Sequence, residues 1–149
     1  MANPDLKQLL AELRDFNKER RRKAVYKLGM LGGEEALRAL MVAVEDENED
    51  TIVRGRAAQM LGKMRDTRAV TPLISALQAK GYQTPIHAAQ ALGHIGDKRA
   101  IIPLIKLRNQ NDNEGAQKAA AAALAKLGYD APQSENETSK EPDEPEPVP

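Results

Sequence analysis

A chain of 149 residues with no cysteine has no disulfide, thiolate metal site, cysteine nucleophile or thioether-linked cofactor of its own. Its 41% hydrophobic and 3% aromatic content suits one core built mainly from Leu, Ala, Ile, Val and Met. The formal charge is zero, but Glu135, Glu137, Glu141, Asp143, Glu144 and Glu146 stand against Lys140 alone in residues 131–149, which makes that segment about −5 and the remainder about +5.

Taken in chain order, the first predicted helix opens at Asn3-Pro4, a cap followed by a first-turn proline, and carries Leu6, Leu9, Leu10, Leu13 and Phe16 on one side. A basic stretch follows, Lys18, Arg20, Arg21, Arg22, Lys23 and Lys27, running into Leu28-Gly29. Gly32-Gly33 reads as a turn. Ala36, Leu37, Leu40, Met41 and Val44 then repeat at helical spacing. The acidic run Glu45–Asp50 lacks the glycine and terminal glutamate of a calcium loop and reads as a solvated loop capping a helix near Thr51. Further on, Asp66 and Asp97 are N-cap candidates ahead of two similar segments. These are Ala69, Val70, Leu73, Ile74 and Leu77, then Ala100, Ile101, Leu104, Ile105 and Leu107. Pro72 and Pro103 fall at matching places in them, near the helix start or at a kink. Thr84-Pro85 repeats the opening start signal. Residues 131–149, rich in Pro, Glu and Ser, bury too little to offset the entropy of ordering and are expected to be a disordered tail after a domain of residues 1–130.

The chain repeats itself. Leu-Gly recurs at Leu28-Gly29, Leu61-Gly62, Leu92-Gly93 and Leu127-Gly128, with separations of 33, 31 and 35, and an alanine stands four residues before each Leu: Ala24, Ala57, Ala88 and Ala123. Alanine one turn below leucine lets two helices approach closely, while the glycine permits either tight packing or a left-handed exit. Four two-helix units follow, at roughly 4–31, 33–64, 66–95 and 97–129. Each alone would leave an apolar face wet, so stacking makes the fold.

The segments Val53-Arg54-Gly55-Arg56-Ala57-Ala58-Gln59-Met60-Leu61-Gly62 and His87-Ala88-Ala89-Gln90-Ala91-Leu92-Gly93-His94-Ile95-Gly96-Asp97-Lys98-Arg99-Ala100-Ile101-Ile102-Pro103-Leu104 resemble HEAT repeats, and more narrowly the phycobilisome-lyase type of HEAT-like repeat. The resemblance is strong over about 50–108, fair at 20–44 and weak at 112–129. It implies an all-α, right-handed α-α superhelix of about four repeats whose second helices line a concave wall. Five before, two before and two after each Leu lie positions on one face, free of packing duty. They read Lys23, Arg56, His87 and Ala122; Tyr26, Gln59, Gln90 and Ala125; and Met30, Lys63, His94 and Tyr129. Lys23, Tyr26, Arg56, Gln59, Lys63, His87, Gln90 and His94 are thus the candidate partner-binding residues of a polar, mildly basic groove. Arg21 and Arg54, seven before the Leu, are assigned a structural role, pairing with an acidic loop such as Asp66 or Asp97.

Catalytic and metal chemistry finds little footing. His87 and His94 are seven apart, about 10 Å along a helix, too far for both rings to reach one ion. HEAT-like iron hydroxylases are recognised by repeated His-Glu pairs, and the chain contains none. The expectation is therefore a non-enzymatic adaptor for a protein partner, without cofactor. The competing readings are an accessory or chaperone subunit related to phycobilisome bilin lyases, which would be the enzymatic alternative, and nucleic-acid binding through the basic stretch. Few aromatic stacking residues and a tail that repels phosphate weigh against the last. The N-terminus shows no leader pattern and no stretch reaches the roughly 20 apolar residues of a membrane span, so a cytoplasmic location without membrane insertion is expected. Partner identity and oligomeric state are not legible.

Overall fold

The computed structural model describes residues 4–110 and 112–129. The expected tail, the 130/131 domain boundary and the Asn3 cap lie outside them. The described residues form eight α-helices and no strand: α1 (Pro4–Glu12), α2 (Lys18–Leu31), α3 (Glu34–Glu45), α4 (Thr51–Met64), α5 (Val70–Ala76), α6 (Gln83–Ile95), α7 (Ile101–Asn109) and α8 (Glu114–Lys126). They pair as α1/α2, α3/α4, α5/α6 and α7/α8 and stack in order. Helices α2, α4, α6 and α8 make an inner layer, each packed on the next, while α1, α3 and α5 pack in sequence as the outer layer. The result is a HEAT-like solenoid with one continuous apolar seam between the layers, as the repeat predicts.

The alanine–leucine pattern builds that seam. Ala24, Ala57, Ala88 and Ala123 are buried, as are Leu28, Leu61 and Leu92, and the outer helices answer with Leu37, Leu40, Leu73, Leu77 and Leu104. The Leu-Gly glycines have two different duties. In α2, α4 and α6 they are sites of close approach: a Cβ on Gly29 would run into the Met60 side chain, one on Gly62 would lie 2.8 Å from Ala91 Cα, and one on Gly93 3.0 Å from Ala123 Cα. Only Gly128, just past α8, takes the left-handed exit, with φ of 76°.

Helix starts follow the acidic caps. Asp50 accepts from Val53 N at 3.2 Å, and Asp66 and Asp97 accept from Arg68 N and Arg99 N, each at 2.9 Å. The last two cap short 3-10 turns, Thr67–Ala69 and Lys98–Ala100, that lead into α5 and α7, so Pro72 and Pro103 sit in the first α-helical turn, where no amide hydrogen is missed.

Several expectations need correction. Phe16 is fully exposed in the turn after α1 and takes no part in the seam. Thr84 is not a cap: α6 begins one residue earlier, and the buried Thr84 hydroxyl donates to the Thr51 carbonyl at 3.2 Å, tying α6 to the start of α4. Arg21 and Arg54 are structural, but with other partners than supposed. Arg21 reaches both Glu49 carboxylate oxygens at 3.0 and 3.2 Å and donates to the carbonyls of Asp15 and Phe16, pinning the α1–α2 turn. Arg54, buried in α4, directs Nε and Nη2 at the Val44 carbonyl, both at 3.1 Å. There it satisfies an acceptor left over at the end of α3, where the helix dipole favours a cation.

Candidate functional site

Because each inner helix buries its Ala-Leu face, the opposite face is free, and three successive units present theirs to one open cleft of about 590 Å³. All eight candidate residues line it: Lys23 and Tyr26 from α2, Arg56, Gln59 and Lys63 from α4, and His87, Gln90 and His94 from α6. Lys23, Tyr26, Gln59, Lys63, Gln90 and His94 are exposed, whereas Arg56 and His87 are half-buried. Arg56 keeps its place by donating to the Arg22 carbonyl at 3.2 Å. The His87 ring lies against Gly55, its Cδ2 only 3.0 Å from where a Cβ would be, with Nδ1 buried and unpartnered.

Lys27, Met60 and Ala91 complete the lining. All three occupy the position just before the Leu, four residues after the first row and three before the last. That spacing alone places them on the same face, and reading the repeat one position further would have found them. The fourth unit does not take part. Ala122, Ala125 and Tyr129 lie outside the cleft, and Met30 instead lines a separate hollow of about 480 Å³ between α1 and α2, with Leu9 and Leu31.

Electrostatically the cleft has one sign. Lys23, Lys27, Arg56 and Lys63 line it and no carboxylate does. Its two histidines hold no common ligand in reach of a third group: among the described residues no three His, Asp or Glu side chains converge. His94 is held below the usual histidine range, first by desolvation and then by the charges of Lys126 and Arg65, so it is neutral near pH 7. Its Nδ1 lies 3.5 Å from Lys126 Nζ.

The three arginines of the basic stretch of α2 are neutralised within the fold. Arg20 pairs with Asp15 at 3.2 Å, Arg21 with Glu49 at 3.0 Å, and Arg22 with Asp50 at 2.8 Å and Glu19 at 2.7 Å. The acidic loop thus serves the repeat stack: Glu49 and Asp50 bind the preceding inner helix, and Asp50 caps α4 as well. No helix among the described residues is long and apolar enough to cross a membrane.

Comparison with known proteins places this geometry. A family model described as HEAT repeats matches residues 6–84 and 70–135. No curated protein matches the chain. Among solved structures, a chain of the complex of CpcE and CpcF of phycocyanin lyase from Nostoc sp. PCC7120 is similar at 27% identity and a TM-score of 0.74, covering 86% of this chain and 55% of that one. Human deoxyhypusine hydroxylase in complex with glycerol shares the fold at 23% identity and a TM-score of 0.72, over 86% of this chain and 45% of that one. An engineered protein does so at 23% and 0.60, over 84% and 63%. This chain therefore spans roughly half to two-thirds of the length of these relatives. Repeat, seam and family match agree, and the chain belongs to the HEAT-repeat family.

Proposed function

We propose that this protein is a non-enzymatic adaptor that holds a partner protein in the cleft of α2, α4 and α6. One observation carries the reading: the eight polar candidate side chains of three successive units, none of them part of the apolar seam, converge on a single open surface. Tyr26 and Arg56 are of the types that dominate binding energy at protein interfaces, and both stand at the cleft on rigid helices. Replacing both by Ala in the full chain should leave helicity intact and reduce capture of a specific partner from the native host, read by quantitative mass spectrometry. Unchanged capture would defeat the assignment of the cleft.

On this reading residues 1–130 are the working domain, in the cytoplasm, and the acidic residues 131–149 a tether, solubiliser or second contact. Nucleic acid fits less well, since Arg20, Arg21 and Arg22 already spend their charge on carboxylates of the fold.

A second reading is favoured by the likeness to a chain of a phycocyanin lyase complex. On it the chain is an accessory or chaperone subunit for bilin attachment to an antenna protein, and chemistry belongs to the assembly. Incubation with bilin and apo-antenna protein, followed by absorbance, separates the two. A specific gain of covalently bound chromophore would replace the adaptor reading.

A further inference from the structure

The cleft cations stand apart from the three arginines beside them on α2. While the neighbouring arginines of α2 are matched by Asp15, Glu19, Glu49 and Asp50, Lys23, Lys27, Arg56 and Lys63 form no ion pair with any described carboxylate. Four uncompensated cations gathered in one trough repel one another and are relieved by an anionic occupant.

Spacing then selects the form of that occupant. Lys23, Arg56 and His87 stand at the same register on adjacent inner helices, which lie about 8–10 Å apart in ordinary packing. The contact of Gly62 with the Ala91 backbone shows α4 and α6 closely packed in this way. A chain in the polyproline II form rises about 3.1 Å per residue with three residues per turn, so three residues advance about 9 Å and bring a side chain back to the same face, from one inner helix to the next. A helix would need about six residues for the same advance and is about 10 Å or more across. Between the cation rows, Gln59 and Gln90 offer both donors and acceptors to the free backbone N–H and C=O groups of such a segment.

We infer that the cleft receives an extended acidic segment of a partner protein, laid across α2, α4 and α6 with carboxylates three residues apart. The inference rests on the adaptor reading and names the chemistry of its partner.

The test uses the full chain and fluorescein-labelled synthetic 12-residue peptides, followed by anisotropy at low and physiological salt. One peptide carries Glu at every third position among Ser and Pro, a second has the same composition with its Glu residues adjacent, and a third replaces Glu by Gln. The first is expected to bind at least fivefold tighter than the second, with the third showing no binding. Lys23→Glu and Lys63→Glu, both at exposed positions, should each weaken the first peptide at least fivefold, while Lys118→Glu on α8 leaves it unchanged. Equal binding of the first two peptides, or indifference to both cleft variants, would overturn the inference. So would peptide binding that emerges only after the six acidic residues of 131–149 are changed to their amides, since the chain's own segment would then be the occupant. If the first peptide fails to bind while the Tyr26→Ala, Arg56→Ala chain still loses its native partner, the acidic register is wrong and the adaptor reading survives.

Discussion

Gly62→Ala tests whether the glycines of the Leu-Gly repeat set the distance between inner helices. The new Cβ would sit 2.8 Å from Ala91 Cα and 2.9 Å from Ala91 Cβ, against the roughly 3.5–4.0 Å of comfortable carbon contact. Because the obstacle is backbone, no rotamer relieves it, and α4 and α6 must part by most of an ångström along a seam packed with Ala57, Ala88 and Leu92. Overpacking of this kind costs about 1–3 kcal/mol, and a rigid obstacle belongs at the upper end. Alanine's helix propensity returns about 1 kcal/mol, which leaves a net loss near 2 kcal/mol. For a domain of this size that is a fall in Tm of about 8 °C, measured by circular dichroism. Gly115→Ala is the control, since its Cβ would meet only the ends of side chains, Tyr82 Oη at 2.6 Å and Ile86 Cδ1 at 2.7 Å. Tyr82 is exposed and the Ile86 contact is its terminal methyl, so both can shift where backbone cannot, and this variant should lose less than about 1 kcal/mol relative to the parent. A Gly62→Ala protein as stable as the parent, or as the Gly115→Ala control, would refute the close-approach argument.

Other consequences are equally open to measurement. The two Arg22 hydrogen bonds, offset in part by desolvation, together with the Val53 amide pull the Asp50 carboxyl down to about 2. A folded-state pKa below the unfolded one stabilises above about pH 4 and loses that effect as pH falls toward 2, so Asp50→Asn should cost on the order of 2 kcal/mol at pH 7 and converge with the parent near pH 2 in denaturant titrations. NMR titration of the His94 ring should show a midpoint below the ordinary histidine range, and Lys126→Gln should move it upward, though not fully, because desolvation is the larger cause. Arg54→Met should lower stability by about 1–3 kcal/mol by leaving the buried Val44 carbonyl without its donor, and should leave partner capture unaltered.

Much of the candidate site was readable because a helix converts spacing into direction: residues five before, two before and two after a buried leucine share a face whatever lies around them. The reading erred where a position's fate depends on its neighbours in space. Met30 obeys the same spacing as Lys63 and His94, yet α1 packs beside it and draws it into another hollow. Ala122 and Ala125 have the right register and no side chain long enough to contribute. Phe16 looked like core because it continues the leucine spacing of α1, but α1 ends at Glu12 and the turn carries the ring into solvent.

Repeat period, helix count and the acidic caps were matters of local chemistry, since each depends on residues within one or two turns, and these could be read without coordinates. Partner choice was not local. That Arg21 meets Glu49, 28 positions away, that Thr84 bonds to Thr51, and that Gly29, Gly62 and Gly93 serve close approach while Gly128 serves the exit all depend on how tightly one unit rests on the next. Stacking distance is a property of the whole seam, and it decided which cations were neutralised within the fold and which remained to face the cleft.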